Sequence, residues 1–124
     1  MQYDLLKILI ADDQAPAREL LRTVLTHCGY EVVEAADGED ALVKAAEAQP
    51  DLIMLDIHMP GRDGFAVCDA LRSMPAFASI PIVAMTAGLM NGERGKALES
   101  GFSEFLPKPI RIDVLRERIA ALLA

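Results

Sequence analysis

Four short apolar runs in this chain each stop abruptly at a polar or charged position, and that repetition constrains the fold more than any other feature. Residues 5–11 end in Asp12-Asp13, residues 52–55 end in Asp56, residues 80–85 end in Thr86, and residues 102–106 lead through Pro107 to Lys108. Short apolar runs bounded by turn residues fit strands buried on both faces, the condition of strands in a parallel sheet. Between the runs the apolar spacing changes to that of helices. From Pro16, a residue suited to a first helical turn, Ala17, Leu20, Leu21, Val24, Leu25 and Cys28 recur on one face until Gly29 stops the pattern. A further strand at 30–35 carries Glu31 and Glu34, as an edge strand would. Asp37-Gly38 signals the start of a second helix with Ala41, Leu42, Ala45 and Ala46 inward. After the Asp56 run, a turn-rich loop at 59–64 leads to a helix at 65–73 with Phe65, Cys68 and Leu71 inward, closed by Pro75. A fourth helix is predicted at 89–100, weakened by Gly92 and Gly95. The fifth, at 110–123, places Leu115, Ile119 and Leu122 inward and Arg111, Arg116 and Arg118 outward.

Five strands alternating with five helices imply right-handed βαβ units and a parallel sheet covered on both faces. The expected fold is therefore α/β: a doubly wound five-stranded parallel sheet, a three-layer sandwich. The long unbroken first strand belongs in the centre and the second at an edge, which favours the flavodoxin-like order 2-1-3-4-5. The switch point then lies between strands one and three. Asp12, Asp13 and Asp56 should meet there, flanked by Thr86 and Lys108.

At 124 residues the chain is expected to form a single domain over 1–124, burying roughly two thirds of its unfolded surface. Its net charge of −7 disfavours direct nucleic-acid binding, because a phosphate backbone repels it. No apolar run is long enough to span a bilayer and nothing before the first strand reads as a signal peptide, so the expected compartment is the cytoplasm, without membrane contact. In that compartment Cys28 and Cys68 are expected as reduced thiols.

Three converging carboxylates raise one another's pKa and cannot all stay ionised without a cation. All-oxygen ligation with no His or Cys cluster points to Mg2+ or Mn2+. A metal, an ammonium from Lys108 and a hydroxyl from Thr86 together suit the charge that develops on a transferring phosphoryl group. Asp56 could then attack phosphorus and hold it as an acyl phosphate.

Taken in order, Asp12-Asp13, Asp56 within Leu-Asp-Ile-His-Met-Pro-Gly-Arg-Asp-Gly, Thr86-Ala87 and Lys108-Pro109 resemble the receiver domain of two-component response regulators, a likeness that covers the whole chain. The chemotaxis receiver CheY also illustrates the switch-point rule, so the expected strand order and this resemblance are not independent. The resemblance implies that Asp56 accepts a phosphoryl group from a phosphohistidine on a sensor histidine kinase or histidine phosphotransfer protein. It implies that Asp13 and Asp56 ligate Mg2+, with the backbone carbonyl of His58 as a third ligand and Asp12 acting mainly through water. Lys108 would pair with the phosphate, Thr86 would turn towards it, and Phe105 would follow as the switch aromatic. The Lys108-Pro109 bond resembles the family's cis peptide. Output would pass through the surface of the fourth helix, fifth strand and fifth helix to a downstream protein target, with a phosphorylation-dependent dimer left open. On this reading the protein is a phosphoacceptor that catalyses its own phosphorylation and slow dephosphorylation, not an enzyme in the usual sense.

Two rivals use the same residues differently. An aspartate-dependent Mg2+ phosphatase of haloacid dehalogenase type expects a second acid two residues after the nucleophile, where this chain has His58. A degenerate receiver that signals without phosphate would lack part of the acid, threonine and lysine set, and none is missing. A free-standing regulator and a receiver belonging to a longer protein both fit this resemblance.

Overall fold

The computed structural model describes residues 5–87, 95 and 99–124. Five parallel strands, β1 (Lys7–Ala11), β2 (Glu31–Ala35), β3 (Leu52–Asp56), β4 (Ile82–Thr86) and β5 (Glu104–Pro107), form one sheet in the order β2-β1-β3-β4-β5. Among the described residues four helices cover it: α1 (Ala15–His27), α2 (Gly38–Ala48), α3 (Gly64–Arg72) and a C-terminal helix (Ile112–Leu122). The predicted helix at 89–100 falls outside the described residues, apart from positions 95 and 99.

Side-chain alternation along the strands divides the interior into two cores. Leu9, Ile53, Leu55 and Ala84 face α2 and α3, where they meet Ala41, Ala45, Val67, Cys68 and Leu71. Ile8, Ile10, Met54 and Val83 face the other way and meet Leu21, Leu25, Leu115 and Ile119 from α1 and the C-terminal helix. Each fully buried aliphatic side chain contributes about 1.5–3 kcal/mol, enough to fix which face each strand residue takes. Cys68 lies in the first core while Cys28 caps α1 on the opposite face, and both are free thiols.

Local signals explain the helix ends. Gly29, at φ +94°, supplies the left-handed turn after α1. Asp37 caps α2 by accepting a hydrogen bond from the Asp40 amide at 2.8 Å. Two expected core positions fail. Leu20 is 53% exposed and Ala46 is exposed, because the buried stripes follow the four-residue rows Leu21–Leu25 and Ala41–Ala45, leaving each of these neighbours turned away. Three strands also start two residues later than expected, β1 at Lys7, β4 at Ile82 and β5 at Glu104. Leu5 and Leu6 stay exposed before β1, and residues 80 and 81 precede β4, after a short 3-10 turn (Pro75–Phe77) absent from the sequence prediction.

The register decides what emerges at the carboxyl edge. Ala11 pairs with Leu55, Asp56 with Met85, and Thr86 with Pro107. Residues at the ends of β1, β3, β4 and β5 therefore leave the sheet side by side.

Candidate functional site

Asp12 stands one residue beyond β1, wholly buried and held from several directions. Its amide donates to the Ala35 carbonyl at the end of β2 (3.2 Å). Its Oδ1 accepts from the Gln14 amide (2.9 Å) and its Oδ2 from Lys108 Nζ (2.7 Å). Asp56, the last residue of β3, is 5% exposed; its Oδ1 accepts from the His58 amide (3.1 Å) and its Oδ2 from the same Lys108 Nζ (3.1 Å). Asp13 is exposed to solvent. One carboxylate oxygen from each of Asp12, Asp13 and Asp56 lies within 4.8 Å of the others.

Lys108 is aimed by its main chain. Its amide donates to the Thr86 carbonyl (2.7 Å), tying the exit of β5 to the end of β4, and its peptide bond to Pro109 is cis. On the other flank, the loop after Asp56 closes through a contact that admits only glycine. The Gly64 amide donates to the Ile57 carbonyl at 2.9 Å, and a Cβ on Gly64 would lie 2.7 Å from the Asp56 carbonyl oxygen and 2.8 Å from Ile57 Cα. Asp63 then caps α3 through the Ala66 amide (2.9 Å). The His58 side chain is exposed, and it is the His58 main-chain amide that donates to Asp56.

Burial raises the pKa of Asp56 above the usual carboxylate range; the Lys108 ammonium and the His58 amide pull it down, and the neighbouring Asp12 charge pushes it up. For Lys108, burial works against the charged form, but hydrogen bonds and charge from Asp12 and Asp56 outweigh it and leave its pKa raised. One ammonium thus serves two buried carboxylates, with a third carboxylate beside them. A set of clustered oxygen donors carrying excess negative charge, with no imidazole or thiolate in it, fits a hard divalent cation.

The fold brings together all five sequence-predicted edge residues: Asp12, Asp13, Asp56, Thr86 and Lys108. Thr86 ends β4 and is 3% exposed. Phe105 is half-buried on β5, its ring 6.4 Å from Phe102, which stands edge-on to Phe65 at 6.2 Å. Sequence reasoning missed Arg18, whose Nη1 donates to the Asp12 carbonyl at 2.6 Å, and Glu34, whose carboxylate meets Arg18 Nε at 3.4 Å. The available signal was positional: Arg18 lies 6 residues after Asp12, early in the helix that follows it, while Glu34 is an acid near the carboxyl end of the adjoining strand.

Fold and site together define a CheY-like doubly wound domain with an acidic cluster and a lysine at its switch point. Comparison with known proteins agrees. Residues 8–120 match the response regulator receiver domain family. The response regulator PleD of Caulobacter vibrioides is 46% identical over 116 residues, covering 94% of this chain and 26% of PleD. The chemotaxis protein CheY4 of Vibrio cholerae superposes with a TM-score of 0.92 at 31% identity, covering 97% of this chain and all of that one. The receiver domain of sensor histidine kinase PA1611 from Pseudomonas aeruginosa, solved with a magnesium ion coordinated in its active-site cleft, gives 0.89 at 27% identity over 97% of this chain and 98% of its own. The chain belongs to the response regulator receiver domain family and is a receiver of two-component signalling. It spans about a quarter of PleD and about half of the other curated relatives it matches. Receivers of this family bind Mg2+ at an acidic site and work with histidine kinases or phosphotransfer proteins. No described helix is long and apolar enough to cross a membrane.

Proposed function

We propose that Asp56 is the phosphoacceptor of this receiver and that Asp12, Asp13, Asp56 and the His58 main-chain carbonyl form its Mg2+ site, with Mn2+ as an alternative ion. The observation that carries the reading is that one lysine Nζ lies 2.7 Å from Asp12 and 3.1 Å from Asp56 while oxygens of the three acids cluster within 4.8 Å. A carboxylate oxygen of Asp56 attacks phosphorus, the phosphorus–nitrogen bond of a phosphohistidine breaks, and the departing imidazole takes up a proton. When bound, the metal neutralises charge on the phosphoryl oxygens. Lys108 supplies a second cation to those oxygens, exchanging part of its hold on the acids for one on phosphate. In this reading Thr86, buried at the adjacent strand end, offers its hydroxyl to the phosphoryl group, and Phe105 changes its packing in response. The phosphatase rival has less support, since its second acid is replaced by His58, whose side chain is exposed.

The domain extends over residues 1–124 in this reading and works in the cytoplasm with a sensor kinase or phosphotransfer partner. It signals to a protein target through the surface around β5 and the C-terminal helix, by self-association or with another protein. Incubating the protein with Mg2+ and acetyl phosphate, then measuring intact mass, tests the central assignment. One phosphoryl group is expected on the wild type and none on Asp56→Asn; a phosphoryl group retained by the mutant sinks the assignment.

A further inference from the structure

Beside the acidic cluster stands a pair of charges that does not belong to it. Arg18, in the second turn of α1, has its guanidinium mostly enclosed, with 18% of the side chain exposed. Its Nη1 donates to the main-chain carbonyl of Asp12 at 2.6 Å, and its Nε faces Glu34 Oε1 at 3.4 Å. Glu34, on the edge strand β2, is also met by Arg22 at 3.3 Å. Asp12 itself is clasped between the Ala35 carbonyl on β2 and the Lys108 ammonium. The carbonyl that Arg18 engages belongs to the peptide joining Asp12 to Asp13, so the contact fixes the unit from which both acids project.

We infer that Arg18, oriented by Glu34, is a positioning residue for the divalent-cation site: it fixes the Asp12–Asp13 peptide so that both carboxylates meet Asp56. The inference rests on the metal-site reading above. Positioning is the better account of Arg18 than charge compensation. A bare cation beside three carboxylates would compete with a metal ion, and Glu34 offsets that charge while leaving the hydrogen bond to Asp12 intact. Groups outside a metal's ligand set that orient its ligands commonly set affinity by about 10–100-fold.

The two accounts differ in sign, which makes them separable. Charge alone predicts that Arg18→Ala tightens cation binding, since a positive group is removed from an acidic site. Positioning predicts that it weakens binding. Mn2+ affinity is to be measured by electron paramagnetic resonance of the free ion, at a temperature where circular dichroism shows every variant folded. Arg18→Ala is expected to weaken Mn2+ binding by about tenfold. Glu34→Ala is expected to weaken it in the same direction, and the double variant to be no worse than Arg18→Ala alone, because the second residue acts through the first. Arg18→Lys, which keeps a long donor, should retain most of the affinity and also serves if the alanine variant fails to fold. Unchanged or tighter binding in Arg18→Ala overturns the inference, as does a lysine variant as weak as alanine. In the same titration, a wild type that binds no Mn2+, or an Asp13→Asn variant that binds as wild type does, overturns the metal-site reading and the inference with it. That result is distinct from a normal Asp13→Asn loss with a silent Arg18→Ala.

Discussion

Lys108 is the residue whose loss should be most informative, because it neutralises two acids and awaits a third anion. In Lys108→Ala the two buried carboxylates lose their shared partner, so a divalent cation should bind more tightly. Removing a donor aimed at developing charge commonly costs about a hundredfold in rate or more. Acetyl phosphate labelling, followed by mass against time, is therefore expected to slow by about that factor while Mn2+ affinity rises; labelling at the wild-type rate would remove Lys108 from the chemistry. A second residue-scale effect concerns Cys68 of α3, whose thiol is buried in the core beneath that helix and whose pKa burial pushes up from 9.0 to about 11, with Arg72 pulling it down and Asp69 pushing it up. The folded protein keeps this thiol protonated where the unfolded chain has already released its proton. Its contribution is intact below the unfolded value and is lost as pH rises through the window between 9.0 and about 11. Urea midpoints across that window should fall more steeply for the wild type than for Cys68→Ala; parallel curves would contradict the shift.

At the scale of elements, the loops at the amino edge of β4 and β5 depend on one side chain from α3. Arg72 donates to the carbonyls of Gly101 (2.8 Å), Phe77 (2.9 Å) and Ile80 (2.6 Å), and meets no carboxylate within ion-pair distance among the described residues. Arg72→Ala leaves these carbonyls without their donor, and a loss of about 2–3 kcal/mol in urea unfolding is expected. Phosphorylation at the opposite edge of the sheet should persist, and its loss would mean the two edges are coupled. This scale also shows what could be read in advance. Apolar runs ending at Asp12, Asp56 and Thr86 revealed the strands and their exits, because burial on both faces leaves a continuous signal in composition. Arg18 and Glu34 stayed hidden, since a glutamate on an edge strand and an arginine on a helix both look solvated until the azimuth of α1 over β2 is known. Leu20 misled for a related reason: helical spacing marks a face, and the width of its buried part depends on the neighbouring helix.

For the whole molecule, the sheet acts as a partition. Ile53 packs in the core beneath α2 and α3, and Ile119 in the core beneath α1 and the C-terminal helix, with no shared cluster. Ile53→Val and Ile119→Val should each cost about 1 kcal/mol. Their double mutant should equal the sum within about 0.5 kcal/mol, as for independent sites. A larger departure in denaturant unfolding would show that the parallel sheet transmits packing changes between its faces. The strand order and both cores follow from the alternation of apolar runs and helical spacing; the register, which places Thr86 opposite Pro107, does not, because a strand shifted along its neighbour keeps the same composition.

The contact between Lys108 and Asp12 joins residues 96 positions apart, and that between Lys108 and Asp56 spans 52. Closing so long a loop carries an entropic cost that is met only after the sheet has assembled. On a ribosome, Asp12, Asp13 and Asp56 emerge well before their ammonium does. During that interval the acids are exposed to solvent cations without a lysine to compete, and a nascent chain has no finished site for a kinase to find. Competence to receive a signal therefore arrives only once the last strand of the sheet has been made.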